Sequence, residues 1–186
     1  MRISTRLLSA LIISLAAMPL LVQAKSRFTL SSSDIPANSK ITAPFVFNSF
    51  GCTGENKSPA LSWKGAPKGT QSFAITMYDP DAPTGSGWWH WVAFNIPADV
   101  AEIKAGMGRG DSRTMPGIQS RTDFGTTGYG GPCPPPGSKA HRYIFTVWAL
   151  KVDKLNLDAD APAAMVGYFL NANKLAKASF TARYKR

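Results

Sequence analysis

The sequence predicts a mainly β protein, an antiparallel β-sandwich with one C-terminal helix and one long Gly/Pro-rich loop. Short runs rich in β-branched and aromatic residues recur along the chain, each bounded by Gly, Pro, Asn or Asp. These runs are FTLSS, APFVF, SFAITMYD, WHWVAFNIP and RYIFTVWAL. Long helical segments do not alternate with them, so the sequence does not indicate a parallel sheet built from βαβ units.

The first 24 residues are typical of a secretory signal peptide. Arg2 and Arg6 precede an apolar stretch that ends in a small-x-small pattern at Ala24, where cleavage is expected. A membrane anchor is the alternative, but Pro19 interrupts the stretch, which is shorter than the ~20 residues that a span needs. We therefore expect an exported, periplasmic protein in which residues 25–186 form one domain.

The charge balance argues against a nucleic-acid partner. Without Arg2 and Arg6, the 21 basic residues become 19 against 11 acidic ones, a net charge of +8. The basic residues are scattered, with the densest cluster at 183–186, and they do not alternate with aromatic residues. The sequence thus indicates a diffusely basic surface that attracts anions rather than a nucleic-acid interface.

The chain contains two cysteines, Cys52 and Cys133. In an exported protein an even pair predicts a disulfide bond. A zinc site made with the two histidines is arithmetically possible, but the spacing fits none of the usual zinc fingers. We therefore expect a disulfide, no metal and no cofactor.

Residues 104–140 are dense in glycine and proline and follow neither hydrophobic period. A loop of this length inside a compact domain more often has a function than not. It is predicted to remain irregular.

A helix is predicted within DADAPAAMVGYFLNANKLAKA, residues 158–178. Asp160 is expected to cap it, and Pro162 suits its first turn. A partial apolar stripe is expected to comprise Met165, Phe169 and Leu175. SFTARY after it is expected to form a closing strand.

Three strands each carry an apolar face that ends in ionisable residues, when the chain is read with the strand period of two. The faces are Asp79 with Phe73, Ile75 and Met77, His90 with Val92, Phe94 and Ile96, and His141 and Tyr143 with Phe145, Val147 and Ala149.

Taken singly, each ionisable residue has a structural explanation. Asp79 precedes Pro80, and an Asp-Pro pair commonly opens a turn. Taken together, they are expected to partner one another in a polar-bottomed cavity, because buried charges are costly unless paired. The carboxylate is expected to favour the imidazolium form of His90 and His141, which suits an anion such as phosphate. Trp88 and Trp89 are expected to supply a wall.

Paired-acid hydrolysis is the main enzymatic alternative. Asp81 lies two residues after Asp79, but Pro80 and Pro83 indicate that the chain is already turning there, so Asp81 is predicted to be a turn former. The motifs G-x-S-x-G, Walker A and HExxH do not occur. We expect a non-enzymatic protein, with a hydrolase that uses a histidine as base as the weaker alternative.

The motifs DPDAP, WHWVAFNIP, GYGGPCPPPGSKAHRYIFTVWAL and FGCTGENKSPALSW closely resemble the phosphatidylethanolamine-binding proteins, in particular their bacterial Raf-kinase-inhibitor-like branch. The resemblance runs from Phe28 to Tyr184. It implies a small, solvent-open pocket that takes phosphate or phosphoethanolamine groups. The pocket residues that it implies are Asp79, Trp88, His90, Gly131, Pro135, His141 and Tyr143.

The resemblance is incomplete at Cys133, where eukaryotic members have a glycine. A Cys52–Cys133 bridge would pin this loop from beneath. Kinase inhibition, which named the relatives, is not expected in a periplasmic protein.

A protein-interaction module is the alternative function. In that case residues 104–140 or the basic C-terminus would contact a secreted or host enzyme, and the pocket would be structural. Trp89 or Tyr168 could serve a homodimer interface, or lie in the core.

Overall fold

The strands form two antiparallel sheets in a computed structural model that describes residues 27–110 and 113–186; the predicted signal peptide lies outside these residues. The strands, in chain order, are β1 (Thr29–Ser31), β2 (Leu61–Lys64), β3 (Ser72–Asp79), β4 (Trp88–Pro97), β5 (Glu102–Ile103), β6 (Ile118–Gln119), β7 (His141–Leu150) and β8 (Lys174–Tyr184). The α-helix α1 spans Ala163–Asn173, and a short 3-10 helix spans Ala43–Phe45. None of the helices within the described ranges has the length and apolar character needed to cross a bilayer.

The two sheets enclose the main core. One sheet has the order β1-β2-β5 and the other β6-β4-β3-β7-β8. Inward-facing side chains of both sheets, such as Trp63 of β2 and Phe145 of β7, belong to one buried cluster. A second cluster lies on the outer face of the larger sheet, where α1 packs against Trp148. The mainly β sandwich with a late helix is thus confirmed.

Helix α1 differs in detail from the prediction. Its N-cap is Pro162 and makes no side-chain capping bond, so Asp160 does not cap it. Its buried residues are Ala163, Val166 and Leu170, not the predicted stripe. The helix packs closely on the flat face of a sheet, where small residues and one leucine fit. Met165 and Phe169 point outward and are 47% and 36% exposed.

The predicted helix also ends early. Lys174 adopts an extended backbone, and β8 begins there. Leu175 therefore lies in β8, which pairs with almost the full length of β7. Sheet pairing overrides the local helical preference of KLAKA.

Two further segments differ from the prediction. APFVF was predicted as a strand, but Ala43–Phe45 is a 3-10 helix. Pro44 cannot donate to a sheet ladder, which disfavours a strand there. Conversely, β2, Leu61–Lys64, forms in a segment for which no strand was predicted, and its residues alternate between buried and exposed.

The 104–140 segment is largely irregular, as expected, apart from the short β6. It lies against the end of the larger sheet. Gly130 donates its backbone N–H to the His90 carbonyl. The segment thus brings its own residues to the histidine end of β4.

Candidate functional site

A small cavity lies at the pole of the sandwich where β3 ends and where β4 and β7 begin. Its volume is about 220 Å³. The lining residues are Phe50, Asp79, Ala82, Pro83, Thr84, Trp88, His90, Phe124, Cys133, Pro134, Pro135, His141 and Tyr143. Six of the seven predicted pocket residues are therefore brought together from distant parts of the chain.

Gly131 is the predicted pocket residue that does not line the cavity. Its N–H donates to Asn56 Oδ1 at 2.7 Å, and a Cβ there would lie 2.3 Å from the Phe45 carbonyl oxygen. Gly131 thus packs behind the wall, where only glycine fits.

His141 is held by a carboxylate. Its Nδ1 lies 2.7 Å from Asp79 Oδ2, and both side chains are almost fully buried. A carboxylate accepts, so Nδ1–H donates and the Nε2 edge of the ring is left for the cavity. The other Asp79 oxygen, Oδ1, accepts the backbone N–H of Asp81 at 2.8 Å. Asp79 thus both opens the turn and orients the histidine.

Asp81 belongs to a different contact. It accepts from Arg142 Nε and Nη2 at 2.9 and 2.7 Å, and these hydrogen bonds hold the pKa of the Asp81 carboxyl at about 2. Asp81 does not line the cavity. It forms no acid pair with Asp79 there.

His90 is held by a backbone carbonyl. Its Nδ1 lies 2.7 Å from the Gly130 oxygen, and the side chain is buried. Burial lowers the pKa of His90 to about 4, although the bond to Gly130 and the charge of Asp79 oppose the shift. The expectation of an imidazolium at His90 is therefore wrong at neutral pH, because desolvation outweighs the nearby carboxylate.

A β-bulge aims His90 into the cavity. Met77 pairs with Trp91 and Tyr78 pairs with Trp89, so His90 is an extra residue in β4. Its ring meets that of Tyr143 at 5.2 Å, on the main-core side of the sheet.

The predicted single face of β4 is therefore wrong. Val92 and Phe94 lie in the outer cluster, beneath α1. A second register shift, beside Asn95 with φ 57°, returns Ile96 to the main core. Each extra residue reverses the alternation of side chains, and two reversals place His90 and Ile96 on the same side.

Two buried hydrogen-bond donors among the lining residues lack a partner within the described residues. They are Trp88 Nε1 and the Tyr143 hydroxyl, the second of which lies close to the Asp79 carboxylate without meeting hydrogen-bond geometry. Burial, reinforced by the nearby Asp79 carboxylate, raises the pKa of Tyr143. The hydroxyl therefore keeps its proton at neutral pH.

The sequence analysis did not assign six lining residues to the pocket: Phe50, Ala82, Pro83, Thr84, Phe124 and Pro134. Among them, Phe124 packs on two of the predicted pocket residues. Its ring packs edge-on against Trp88 at 5.4 Å and His90 at 5.3 Å, and it also contacts Phe50 at 5.9 Å. It stands in a turn of the 104–140 segment, as an aromatic residue in a run of Gly and Thr. That contrast in composition was the available signal.

Trp89 does not contribute to the wall. Its ring meets Tyr78 at 4.6 Å, and it packs against the outer cluster under α1. The bulge that turns His90 toward the cavity leaves Trp88 on the same side and Trp89 on the other.

Cys52 and Cys133 form the predicted disulfide, across 81 residues of sequence. Cys133 lines the cavity together with Pro134 and Pro135. The bond ties this wall to the turn that carries Phe50, whose carbonyl also accepts from Arg186 Nη1 at 3.2 Å.

The cavity contains few polar groups. Throughout 27–110 and 113–186, His, Cys, Asp and Glu side chains do not gather in threes suited to a metal ion. The cavity offers one carboxylate that is already paired, two ring nitrogens, two unpartnered donors and apolar walls.

Comparison with known proteins identifies relatives that match nearly all of the domain predicted for residues 25–186. The family model for phosphatidylethanolamine-binding protein matches residues 31–185. UPF0098 protein YbcL of Escherichia coli is 51% identical over 160 residues, which cover 85% of this chain and 87% of the relative. UPF0098 protein YbhB of the same organism is 49% identical over 156 residues, covering 83% and 98%.

Solved structures agree in fold. The crystal structure of E. coli YbcL, described as a new member of the mammalian PEBP family, superimposes with a TM-score of 0.85 at 50% identity, covering 87% of this chain and 99% of that one. A PEBP homologue from Chlamydia trachomatis has a TM-score of 0.72 at 24% identity, covering 86% and 97%.

Proposed function

The chain belongs to the phosphatidylethanolamine-binding protein family, and from that premise we propose that it is an exported, non-enzymatic protein that binds phosphate or phosphoethanolamine-like groups. The single observation that carries the proposal is the joint lining of one small cavity by Asp79, His90, His141, Tyr143 and Trp88. The anion would lie among these side chains.

His141 is the proposed charged contact. With a second proton on its ring, its Nε2–H is a charged donor, and the buried Asp79 carboxylate balances that charge. The Tyr143 hydroxyl and Trp88 Nε1 add neutral donors whose buried hydrogens lack partners among the described residues. Such donors gain most from a ligand oxygen, because an unmade buried hydrogen bond is costly.

The surroundings favour an anion over a cation. A neighbouring cleft shares Pro83 and His141 with the cavity and is lined by Lys139, Arg183 and the Asp81–Arg142 ion pair. Together with the net charge of +8 that remains without Arg2 and Arg6, Lys139 and Arg183 give a positive potential near the mouth. The aromatic rings of Trp88 and Phe124 would pack on the organic part of a phosphoester.

Export is the second part of the proposal. It is supported by the predicted signal peptide and by the Cys52–Cys133 bond, since disulfides persist in oxidising compartments such as the periplasm. Fractionation of cells that express the full chain tests it. Recovery of uncleaved protein in the cytoplasm would refute export.

Histidine ring NMR tests the binding. We expect the ring signals of both His90 and His141 to shift when phosphate or phosphoethanolamine is added at millimolar concentration. Asp79→Ala should weaken the apparent affinity by about tenfold or more, because it removes the group that orients and charges His141.

A matched control is Asp153→Ala, which changes a surface carboxylate outside the cavity lining and should leave the affinity unchanged. A weak phosphate site has a dissociation constant on the order of 1 mM, so about 10 mM ligand should nearly saturate it. If neither histidine ring signal shifts at that concentration, the proposed function is refuted.

A further inference from the structure

We infer that His90 makes the cavity selective for oxyanions that carry a hydrogen, such as a protonated phosphate group, over oxyanions that carry none, such as sulfate. The inference deepens the proposed function and rests on it. The question is whether the buried His90 ring donates a hydrogen bond to the ligand or accepts one from it.

The geometry defines the tautomer of His90. A backbone carbonyl only accepts hydrogen bonds, so the 2.7 Å contact with the Gly130 oxygen requires a hydrogen on Nδ1. A neutral imidazole carries one hydrogen. The nitrogen left for the cavity that His90 lines, Nε2, is then a bare acceptor.

The surroundings keep this ring neutral. Around it lie Asp79 from β3, His141 and Tyr143 from β7, the backbone of Gly130 and Gly131, and the apolar ring of Phe124. Of these groups only Asp79 is an anion, and its Oδ2 is occupied by His141. Burial dominates, and the pKa of His90 falls to about 4.

The other polar groups of the cavity donate. Trp88 Nε1 and the Tyr143 hydroxyl, which lies near the Asp79 carboxylate, have buried hydrogens that make no hydrogen bond among the described residues, and the contact proposed above for His141 adds a third donor. The complementary ligand therefore needs several acceptor oxygens and one hydroxyl hydrogen for His90. Both forms of inorganic phosphate present near pH 7 carry such a hydrogen, and so does the minor, singly charged form of a phosphomonoester such as phosphoethanolamine, whereas sulfate does not. Sulfate would place lone pairs against the lone pair of Nε2.

Affinities of inorganic phosphate and sodium sulfate for the full chain at pH 7 test the inference. An unpaired buried acceptor predicts that sulfate binds about ten- to hundred-fold more weakly than phosphate. Equal affinities would overturn the inference and leave the proposed function standing. Failure of both anions to bind would overturn the inference and the proposed function together.

A variant assigns the selectivity to His90. His90→Gln presents an amide that donates as well as accepts, so the difference between phosphate and sulfate should narrow to about threefold or less. A gap that stays as wide as in the native chain would overturn the assignment.

A readout that needs neither ligand nor variant is the ¹⁵N spectrum of the histidine rings. Free protein at pH 7 should show His90 with a protonated Nδ1 and an unprotonated Nε2. A hydrogen on Nε2 of His90 under these conditions would overturn the inference, whether or not any anion binds.

Discussion

The two histidines of the chain lie in one cavity but are held by opposite kinds of partner. His141 donates Nδ1–H to a carboxylate supplied by the neighbouring strand β3. His90 donates the same hydrogen to a backbone carbonyl of the glycine-rich loop. The first partner can balance a positive charge on the ring, and the second cannot.

This difference shows how one residue type can provide both a hydrogen-bond donor and a hydrogen-bond acceptor in the same cavity. A ring paired with a carboxylate is suited to become a charged donor, and a ring buried against an amide carbonyl stays a neutral acceptor. The partners also differ in origin, because Asp79 ends a regular strand and Gly130 depends on how a long loop is held.

Opening the Cys52–Cys133 disulfide should have the largest effect on the molecule. In the chain-entropy account, closing a loop across 81 residues stabilises the fold by about 4 kcal/mol. Urea unfolding of the Cys52→Ala/Cys133→Ala variant measures the loss. The His90 ring signal should shift more than that of His141, because Gly130 precedes Cys133 on the same loop. Equal shifts of the two ring signals would show that Asp79 and Gly130 do not hold the two histidines independently.

Asp79→Ala should have the next largest effect. It leaves the Nδ1–H of His141 and the N–H of Asp81 without their acceptor, and breaking a buried charged pair from one side costs about 3 kcal/mol. The free energy of unfolding at pH 7 measures this loss. The His90 ring signal should move little. A large shift of the His90 ring signal would contradict the claim that Gly130 holds His90 independently of Asp79.

Protonation of His90 at acidic pH should destabilise the fold by no more than Asp79→Ala does. The folded pKa of about 4 lies below the unfolded value of 6.5, so the unfolded chain binds more protons between these pH values. The contribution of neutral His90 to the free energy of unfolding is therefore fully present above pH 6.5 and is lost as the pH falls toward 4. The loss amounts to about 3 kcal/mol.

Unfolding free energies of the native chain and of His90→Gln, measured from pH 7 to pH 4, isolate this contribution. The variant should lose less stability over the range, since it lacks the titrating ring. Parallel pH profiles would contradict a depressed His90 pKa.

Asp81→Asn should have the smallest effect. The carboxylate pairs with Arg142, whose side chain is 47% exposed, and exposed ion pairs contribute little. Phosphate affinity should change by less than about twofold, because Asp81 lies outside the cavity lining. A loss as large as that of Asp79→Ala would mean that the two acids act together.

The same contrast explains how far the sequence could predict the site. Strand β7 pairs with β3 without a register shift, so the period of two correctly placed His141 and Tyr143 at one end of a buried face. Strand β4 has two register shifts against β3. The prediction for His90 reached the right side of the sheet only because the two bulges cancel between His90 and Ile96.

The remaining errors have similar physical causes. Local patterns do not report which neighbour an element will pack on, so the buried face of α1 was displaced from Met165 and Phe169 to Val166 and Leu170. Phe124 enters the cavity through loop geometry, which no period describes. Burial of His90 against Gly130 is likewise a tertiary feature, and its neutral state could not be read from neighbouring residues.

A crystal structure of the full chain grown with millimolar phosphate near pH 7 tests the central claim most directly. The account predicts a phosphate inside the cavity, accepting from Nε2 of His141 and directing its hydroxyl toward Nε2 of His90. An empty cavity at saturating phosphate, or an anion that contacts only surface lysines and arginines, would contradict it.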